Sequence, residues 1–322
     1  MSASPLETSV VVATHDRAER LSALLASLRT QTVAPSRFEV IVVDDGSTDA
    51  TSALLEREDT RAGLDLRAIR RPRAGGPAAA RNDGWRSARA PLVAFTDDDC
   101  VADPGWLAAL VAAARSHPGA VVQGRTEPNP AELDRWGPFS RSLAARRLGP
   151  WYQTCNIVYP RELLERLDGF DASAYSGPGG EDTDLAWRAI EYGRETVYAD
   201  DARVLHAVSR LGPLGKLRVA WRWTESMRVF ARHPALRRTE LKRRIFWKGS
   251  HYLLLRALVA ALLPRRLWLV RRWLGLPYLW HLVDRGRQEG GGLLASPYFA
   301  LHDLVELVAV VRGAVRYRVL VL

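Results

Sequence analysis

Three consecutive carboxylates, Asp97-Asp98-Asp99, close the apolar run Leu92-Val93-Ala94-Phe95-Thr96, and a second acidic pair, Glu181-Asp182, follows the loop Ser176-Gly177-Pro178-Gly179-Gly180. Like charges packed at a strand end repel one another, and a divalent cation that takes oxygen ligands removes that repulsion. The pattern points to chemistry on a metal-bound diphosphate. A solvated acidic turn has the same composition, and one Asp-x-Asp alone leaves the two readings level. The elements around it must decide.

The run Ser9-Val10-Val11-Val12-Ala13 reads as a β-strand, and residues 18–31 then repeat leucine at Leu21, Leu24, Leu25 and Leu28 with helical spacing. A second strand, Glu39-Val40-Ile41-Val42-Val43, ends in Asp44-Asp45-Gly46-Ser47, whose turn and capping residues lead into a helix through Ala53-Leu54-Leu55. Residues 64–70 read as a third strand, residues 78–88 as a helix introduced by Gly75-Gly76-Pro77, and residues 92–96 as the strand that delivers the aspartates. Successive strand-helix units predict an α/β fold, a largely parallel, Rossmann-like sheet flanked by helices. Ligands bind such sheets at the carboxyl ends of the strands. Thr14-His15-Asp16, Asp44-Asp45 and Asp97-Asp98-Asp99 all fall there, so one edge gathers three polar clusters.

With 322 residues and 47% hydrophobic content the chain can bury a proper core. Its two cysteines, Cys100 and Cys155, suggest neither a disulfide framework nor a zinc site, which fits a reducing, cytoplasmic compartment. Residues 1–7 show no basic stretch followed by an apolar one, so no secretory signal is expected. The net charge of +10 is unevenly spread: residues 1–210 carry 25 basic and 30 acidic groups, residues 211–322 carry 21 basic and 6 acidic ones, with six of the eleven tryptophans. That change predicts a catalytic domain over 1–210 and a separate basic, Trp-rich helical region over 211–322.

Six segments in order and spacing carry a resemblance: Thr14-His15-Asp16-Arg17, Asp44-Asp45-Gly46-Ser47, Ala80-Arg81-Asn82-Asp83-Gly84, Asp97-Asp98-Asp99, Gly169-Phe170-Asp171 and Gly180-Glu181-Asp182. Together, over about residues 8–210, they resemble the motifs of family 2 glycosyltransferases. The resemblance implies the GT-A fold and transfer of a sugar from a nucleoside diphosphate donor, UDP-sugar foremost, with inversion at the anomeric carbon and Mn²⁺ or Mg²⁺ as cofactor. It implies Asp99 as metal ligand, Asp97 near the ribose or sharing the metal, and Asp98 within the nucleotide-binding group but turned toward the sheet. Thr14, Arg17, Asp44 and Asp45 fall where the family holds base and ribose, and Arg81 can pair with the diphosphate. Asp182 is the expected general base, Glu181 its neighbour on the acceptor or lid, and His206 either a metal ligand or a structural histidine. Trp151, Cys155 and Asn156 fall in a stretch resembling the acceptor-facing segment, with Cys155 read as a packed residue.

Residues 211–283 interleave tryptophans with Arg237-Arg238, Lys242-Arg243-Arg244, Arg265-Arg266 and Arg271-Arg272. Bulky apolar residues between basic pairs suit a helix lying on an anionic membrane surface. No charge-free run approaches the ~20 residues that span a bilayer, so the region is expected to lie on the cytoplasmic face. Residues 301–312 read as another amphipathic helix, set off by Gly290-Gly291-Gly292. No nucleic-acid-binding module is visible. The leading expectation is thus a peripheral-membrane glycosyltransferase acting on a lipid-linked or cell-envelope glycan. A nucleotidyltransferase that makes nucleotide sugars and a non-catalytic membrane scaffold are the alternatives. The oligomeric state is left open by the sequence.

Overall fold

In the computed structural model, which describes residues 6–59 and 63–322, the apolar run at residues 9–13 forms the centre of β1 (Thr8–Thr14). The reading of residues 1–5 as lacking a signal lies outside the described residues. α1 (Ala18–Arg29) turns Leu21, Leu24, Leu25 and Leu28 onto the sheet, as their spacing predicts. There follow β2 (Phe38–Asp44), α2 (Thr51–Asp59), β3 (Asp65–Arg70), α3 (Pro77–Arg86), β4 (Leu92–Asp97), β5 (Cys100–Ala102), α4 (Trp106–Ser116) and β6 (Val121–Pro128). Then come β7 (Ser140–Arg141), β8 (Asn156–Pro160), α5 (Arg161–Leu167), α6 (Glu181–Glu191), β9 (Thr196–His206) and β10 (Ser209–Arg210). Six helices end the chain: α7 (Gly212–Trp221), α8 (Trp223–Arg232), α9 (Pro234–Glu240), α10 (Gly249–Leu262), α11 (Trp268–Gln288) and α12 (Ser296–Arg316).

Two compact units result, one of Met1–Ala131 with Ser142–Ala207 and one of Glu132–Arg141 with Val208–Leu322. The first holds an eight-stranded sheet ordered β3-β2-β1-β4-β8-β6-β9-β5. β3, β2, β1 and β4 run parallel, as do β6 and β9, whereas β8 and β5 oppose their neighbours. The sheet is mixed α/β and mostly parallel, with helices flanking it. Asn156, wholly buried, fastens its second half: its side chain donates to the carbonyls of Arg125 (2.7 Å) and Ala202 (2.8 Å) and accepts from Trp106 Nε1 (2.8 Å). A Cβ on Gly124 would sit 2.4 Å from that amide, at the point where the β6–β9 register shifts.

The second unit is helical apart from the β7–β10 ladder. Leu254, Tyr278, Leu282, Phe299 and Leu307 form an apolar core among α10, α11 and α12. Beside it Asp303 and Glu306 are buried with their partners: Arg285 (2.6 Å) and Tyr278 (3.1 Å) bind Asp303, while Lys248 (2.6 Å) and Trp223 (2.9 Å) bind Glu306. The segment Gly292–Arg316 is long and apolar enough to cross a membrane by length and composition, a length that a search for charge-free runs passes over.

Candidate active site

β1, β2 and β4 are parallel and in register, with Thr14 opposite Asp44 and Ala13 opposite Asp97, so three polar strand ends meet at one edge. His206 ends β9 and pairs with Cys100 on β5, which places it beside the Asp97-Asp98-Asp99 turn. Asp98 is 4% exposed, and its carboxylate accepts from Thr14 Oγ1 (2.8 Å) and Arg17 Nη1 (2.9 Å). Burial pushes its carboxyl up to about 6, against the pull of Arg17 and with the push of Asp99. Arg17 Nη1 also donates to Asp99 Oδ2 (2.9 Å). Burial alone would favour a neutral Arg17, but Asp98 and Asp99 outweigh it and keep the guanidinium charged.

Arg81, on α3, joins two parts of the edge. Its Nη2 donates to Asp97 Oδ1 (2.9 Å) and its Nη1 to Glu181 Oε1 (3.0 Å). Burial opposes its charge, yet Asp97, Glu181 and Asp182 together raise its pKa. The other Glu181 oxygen accepts the Gly179 N–H (2.7 Å), closing the glycine-rich loop onto the start of α6. Asp182 Oδ1 accepts the Thr183 N–H (2.8 Å). Although Asp182 keeps some contact with solvent, dense surroundings and then the Glu181 charge push its carboxyl up to about 7, with Arg81 pulling the other way. A carboxylate that gains and loses its proton near neutrality can accept one in a reaction. Tyr159, on β8, is fully buried, and its hydroxyl has no hydrogen-bond partner among the described residues. Burial raises its phenol well above the usual value, and the charge of Asp182 adds to the rise. In the sequence it reads as one more apolar strand position.

Asp44 and Asp45 lie at the same edge and hold its loops. Asp44 accepts from the Ser47 N–H (2.8 Å) and Ser52 Oγ (3.1 Å). Asp45 accepts the N–H groups of Gly75 (2.9 Å) and Gly76 (2.8 Å) and pairs with Arg71, which also binds Asp83. Next to them an open cavity of about 530 Å³ is lined by Gly46, Ser47, Thr48, Arg70, Arg71 and Pro72. Asp16, with φ 51°, accepts the N–H groups of Thr48 (2.7 Å) and Asp49 (3.2 Å) across this cavity's rim. Asp16 belongs to the first polar cluster read in the sequence, whereas Arg71 is not distinguished there and is one arginine among many.

Two glycines explain why distant segments travel together. Gly76 has φ +88°, and a Cβ there would meet the Ser176 carbonyl oxygen at 2.2 Å, so the α3 loop and the loop before α6 touch through backbone. Gly169 has φ +61° and leaves no room beside Trp85 Nε1 and Asn82 Oδ1. Asn82 then clamps Phe170 from both sides, accepting its N–H (2.9 Å) and donating to its carbonyl (2.7 Å). Of the acceptor-side expectations, Trp151 gives its carbonyl to Thr183 Oγ1 (2.8 Å), and Cys155 and Asn156 are buried.

Asp99 and His206 have the chemistry to hold a cation. Asp99 Oδ1 is buried with no hydrogen-bond partner and lies 3.4 Å from His206 Nε2. His206 Nδ1 faces the Ala207 carbonyl (3.0 Å), which in the neutral ring places the proton on Nδ1 and leaves the Nε2 lone pair toward Asp99. Cys100 is close to both, and its hydrogen bond with Cys155 and burial raise its thiol well above the usual value. The carboxylate oxygen suits Mn²⁺ or Mg²⁺, and the imidazole suits first-row transition metals, so the pair favours Mn²⁺ over Mg²⁺.

Residues 9–173, just over half of the chain, match the family described as Glycosyl transferase family 2. Validoxylamine A glucosyltransferase of Streptomyces hygroscopicus subsp. limoneus is 33% identical over 58% of this chain and 48% of its own length, so the chain spans about half of that relative. Among solved structures, the mannosyltransferase PcManGT from Pyrobaculum calidifontis in complex with GDP-Man and Mn²⁺ has a TM-score of 0.58 at 21% identity, covering 98% of this chain and 90% of that one. S. aureus TarS 1–349 in complex with UDP-GlcNAc has a TM-score of 0.52 at 19% identity, covering 98% and 93%. At such identities the two structures speak for the fold, which is GT-A-like; on the family match, this chain belongs to glycosyltransferase family 2 and is a transferase enzyme.

Proposed function

We propose that the chain is a metal-dependent, inverting enzyme that moves a sugar from a nucleoside diphosphate to a hydroxyl of a lipid-linked or cell-envelope glycan at the cytoplasmic face of a membrane. The observation that carries this reading is one sheet edge that joins Asp99 and His206 to the Arg81-bridged acids Asp97 and Glu181, with Asp182 alongside. An inverting displacement needs one base and no covalent nucleophile. Asp182 takes the acceptor hydroxyl proton as that oxygen bonds to the anomeric carbon, and the bond from that carbon to the diphosphate oxygen breaks with its electron pair going to the phosphate. Arg81 and Arg17 contribute fixed positive charge beside the leaving group. Asp99 and His206, with Asp97, would hold Mn²⁺ or Mg²⁺; such a cation supplies Lewis-acid stabilisation to the departing diphosphate. Thr14, Asp44, Asp45 and the loops they fasten enclose the nucleoside, with the 530 Å³ cavity as its berth.

The two fold neighbours carry different nucleotides, GDP-Man and UDP-GlcNAc, so the base is the first thing to measure, with UDP-sugars leading. Calorimetric titration with UDP-, GDP- and dTDP-sugars, with and without Mn²⁺, is expected to show metal-dependent binding of one nucleotide class that Asp99→Asn weakens. Folded protein that binds none of them would overturn the donor assignment.

A further inference from the structure

The helical unit carries a surface that sugar transfer does not use. The end of α10 and the first two thirds of α11 present Leu262, Trp268, Leu269, Trp273 and Trp280 to solvent, with Leu262 87%, Trp273 69% and Trp280 65% exposed. Arg265, Arg266, Arg271 and Arg272 stand between them, and residues 241–283 hold nine lysines and arginines and no acidic residue. An apolar patch of this kind on a folded protein marks a contact with something else. A second copy of this chain would bring the same cations face to face, whereas an anionic surface neutralises them.

We infer that the α10–α11 hairpin is a membrane-docking element whose tryptophans and leucines enter the headgroup region of an anionic bilayer while its four arginines bind lipid phosphates. The inference deepens, and rests on, the membrane-facing reading given above, because it names the surface and the partner. Contact is lateral, not through a span. α12, the helix with the length and composition to cross, keeps Asp303 and Glu306 buried on Arg285, Tyr278, Lys248 and Trp223, and crossing would put those groups into lipid. α11 carries Pro277 inside it and arginines along its first turns, which suits an interfacial helix.

The test is sedimentation of the full chain with phosphatidylcholine vesicles, with or without about 30 mol% phosphatidylglycerol, chosen to mimic an anionic leaflet. Binding is expected only to the anionic vesicles and should weaken with added salt. Changing Trp268 and Trp273 together to Ser should weaken it about 100-fold, and changing the four arginines to Gln by at least as much. Circular dichroism and donor titration confirm that each variant is folded. Equal binding to neutral vesicles, or variants that bind like wild type, would overturn the inference. A dimer that forms on the same residues without vesicle binding would overturn it too, in favour of a second copy. Vesicle binding that is lost in the variants, in a protein that binds no sugar nucleotide, would leave the docking surface supported and remove the donor assignment alone.

Discussion

The sheet unit and the helical unit dispose charge and apolar surface in opposite ways. Among the described residues, two exposed large apolar side chains, Leu148 and Tyr192, belong to the sheet unit, and twenty-three belong to the helical one. The sheet unit gathers acids at its edge: Arg17 and Arg81 bind Asp99 and Asp97, which stay partly exposed, with Asp98 and Glu181 buried behind them on the same arginines. The helical unit turns two of its acids inward, with Asp303 and Glu306 buried and Leu301, Leu304 and Val308 of the same helix facing out. Charges kept at an edge stay available for chemistry; charges taken inside act as fasteners. A bundle fastened by buried ion pairs can leave much of its apolar surface outside, which is the condition for docking on another apolar phase.

The largest expected effect tests the edge. Asp182→Asn should lower kcat by about 10³-fold, the range a positioned general base supplies, with donor affinity unchanged by titration. Because burial and Glu181 push the Asp182 carboxyl up to about 7, kcat/KM of the wild type should rise with pH through that value and then level. The residual rate of the Asn variant should lack this limb. Wild-type turnover in Asp182→Asn would move the base elsewhere on the edge.

The fasteners come next. Arg285→Met leaves Asp303 buried beside Tyr278 with its main counter-charge gone and should destabilise the helical unit by about 3 kcal/mol, read by urea denaturation. Adding Asp303→Leu should recover most of that loss, since a well-packed apolar pair can replace a buried ion pair. Donor binding should be the same in all three proteins, because no partner of Arg285 lies at the sheet edge. Failure of the double variant to recover would mean that Asp303 has work beyond the ion pair.

The contrast also marks what could be read from the sequence. The strands at residues 9–13, 39–43 and 92–96 were legible because β-branched and apolar runs bounded by turn residues leave few alternatives, and the polar groups after them locate the edge. The antiparallel insertion of β8 between β4 and β6 was not, because strand neighbours are chosen by tertiary pairing and leave no local period. The partners were hidden for the same reason. Thr14 meets Asp98 across 84 residues and Arg81 meets Glu181 across 100, and nothing near either residue announces the other. Residues 301–312 were visibly amphipathic, but periodicity gives the two faces of a helix without saying which is inside. The structure turns in His302, Asp303 and Glu306 together with Leu307, Ala309 and Val310, and leaves Leu301, Leu304, Val308 and Val311 outside.

A smaller effect probes the joints of the sheet unit. Gly169→Ala would force a Cβ to 2.3 Å from Trp85 Nε1 at φ +61°, and about 1–3 kcal/mol of destabilisation is expected. Gly177→Ala, where a Cβ meets nothing within 4 Å, is the control in the glycine-rich loop before α6. Equal stability of the two variants would mean that the Asn82–Phe170 clamp yields easily.

The smallest effect separates the units by the sign of their response to acid. In the sheet unit the carboxyls of Asp98 and Asp182 are raised, to about 6 and about 7, above the ordinary carboxylate value of 3.8. Between those values and 3.8 the folded form binds more protons than the unfolded one, so their contribution to stability grows as pH falls from 7 toward 4 and is lost as pH rises through 7. His251 in the helical unit behaves oppositely. Burial lowers its pKa below 6.5 against the pull of Glu306, with Lys248 adding to the lowering and the Leu322 backbone opposing it. Asp303 and Glu306 are also lowered: burial opposes this, but hydrogen bonds and neighbouring cations prevail. Here the unfolded form binds more protons, so stability present above 6.5 declines as pH falls through that value, and declines again where carboxylates ordinarily titrate. Hydrogen exchange followed by region from pH 7.5 to 5 should therefore show protection in the helical unit weakening while the sheet unit holds or gains. His251→Phe should flatten the first change, since a ring of similar shape without a proton site cannot follow pH. Parallel weakening of both units would mean that the acids at the open edge are not held protonated by the fold, and the contrast between edge and interior would lose its electrostatic basis.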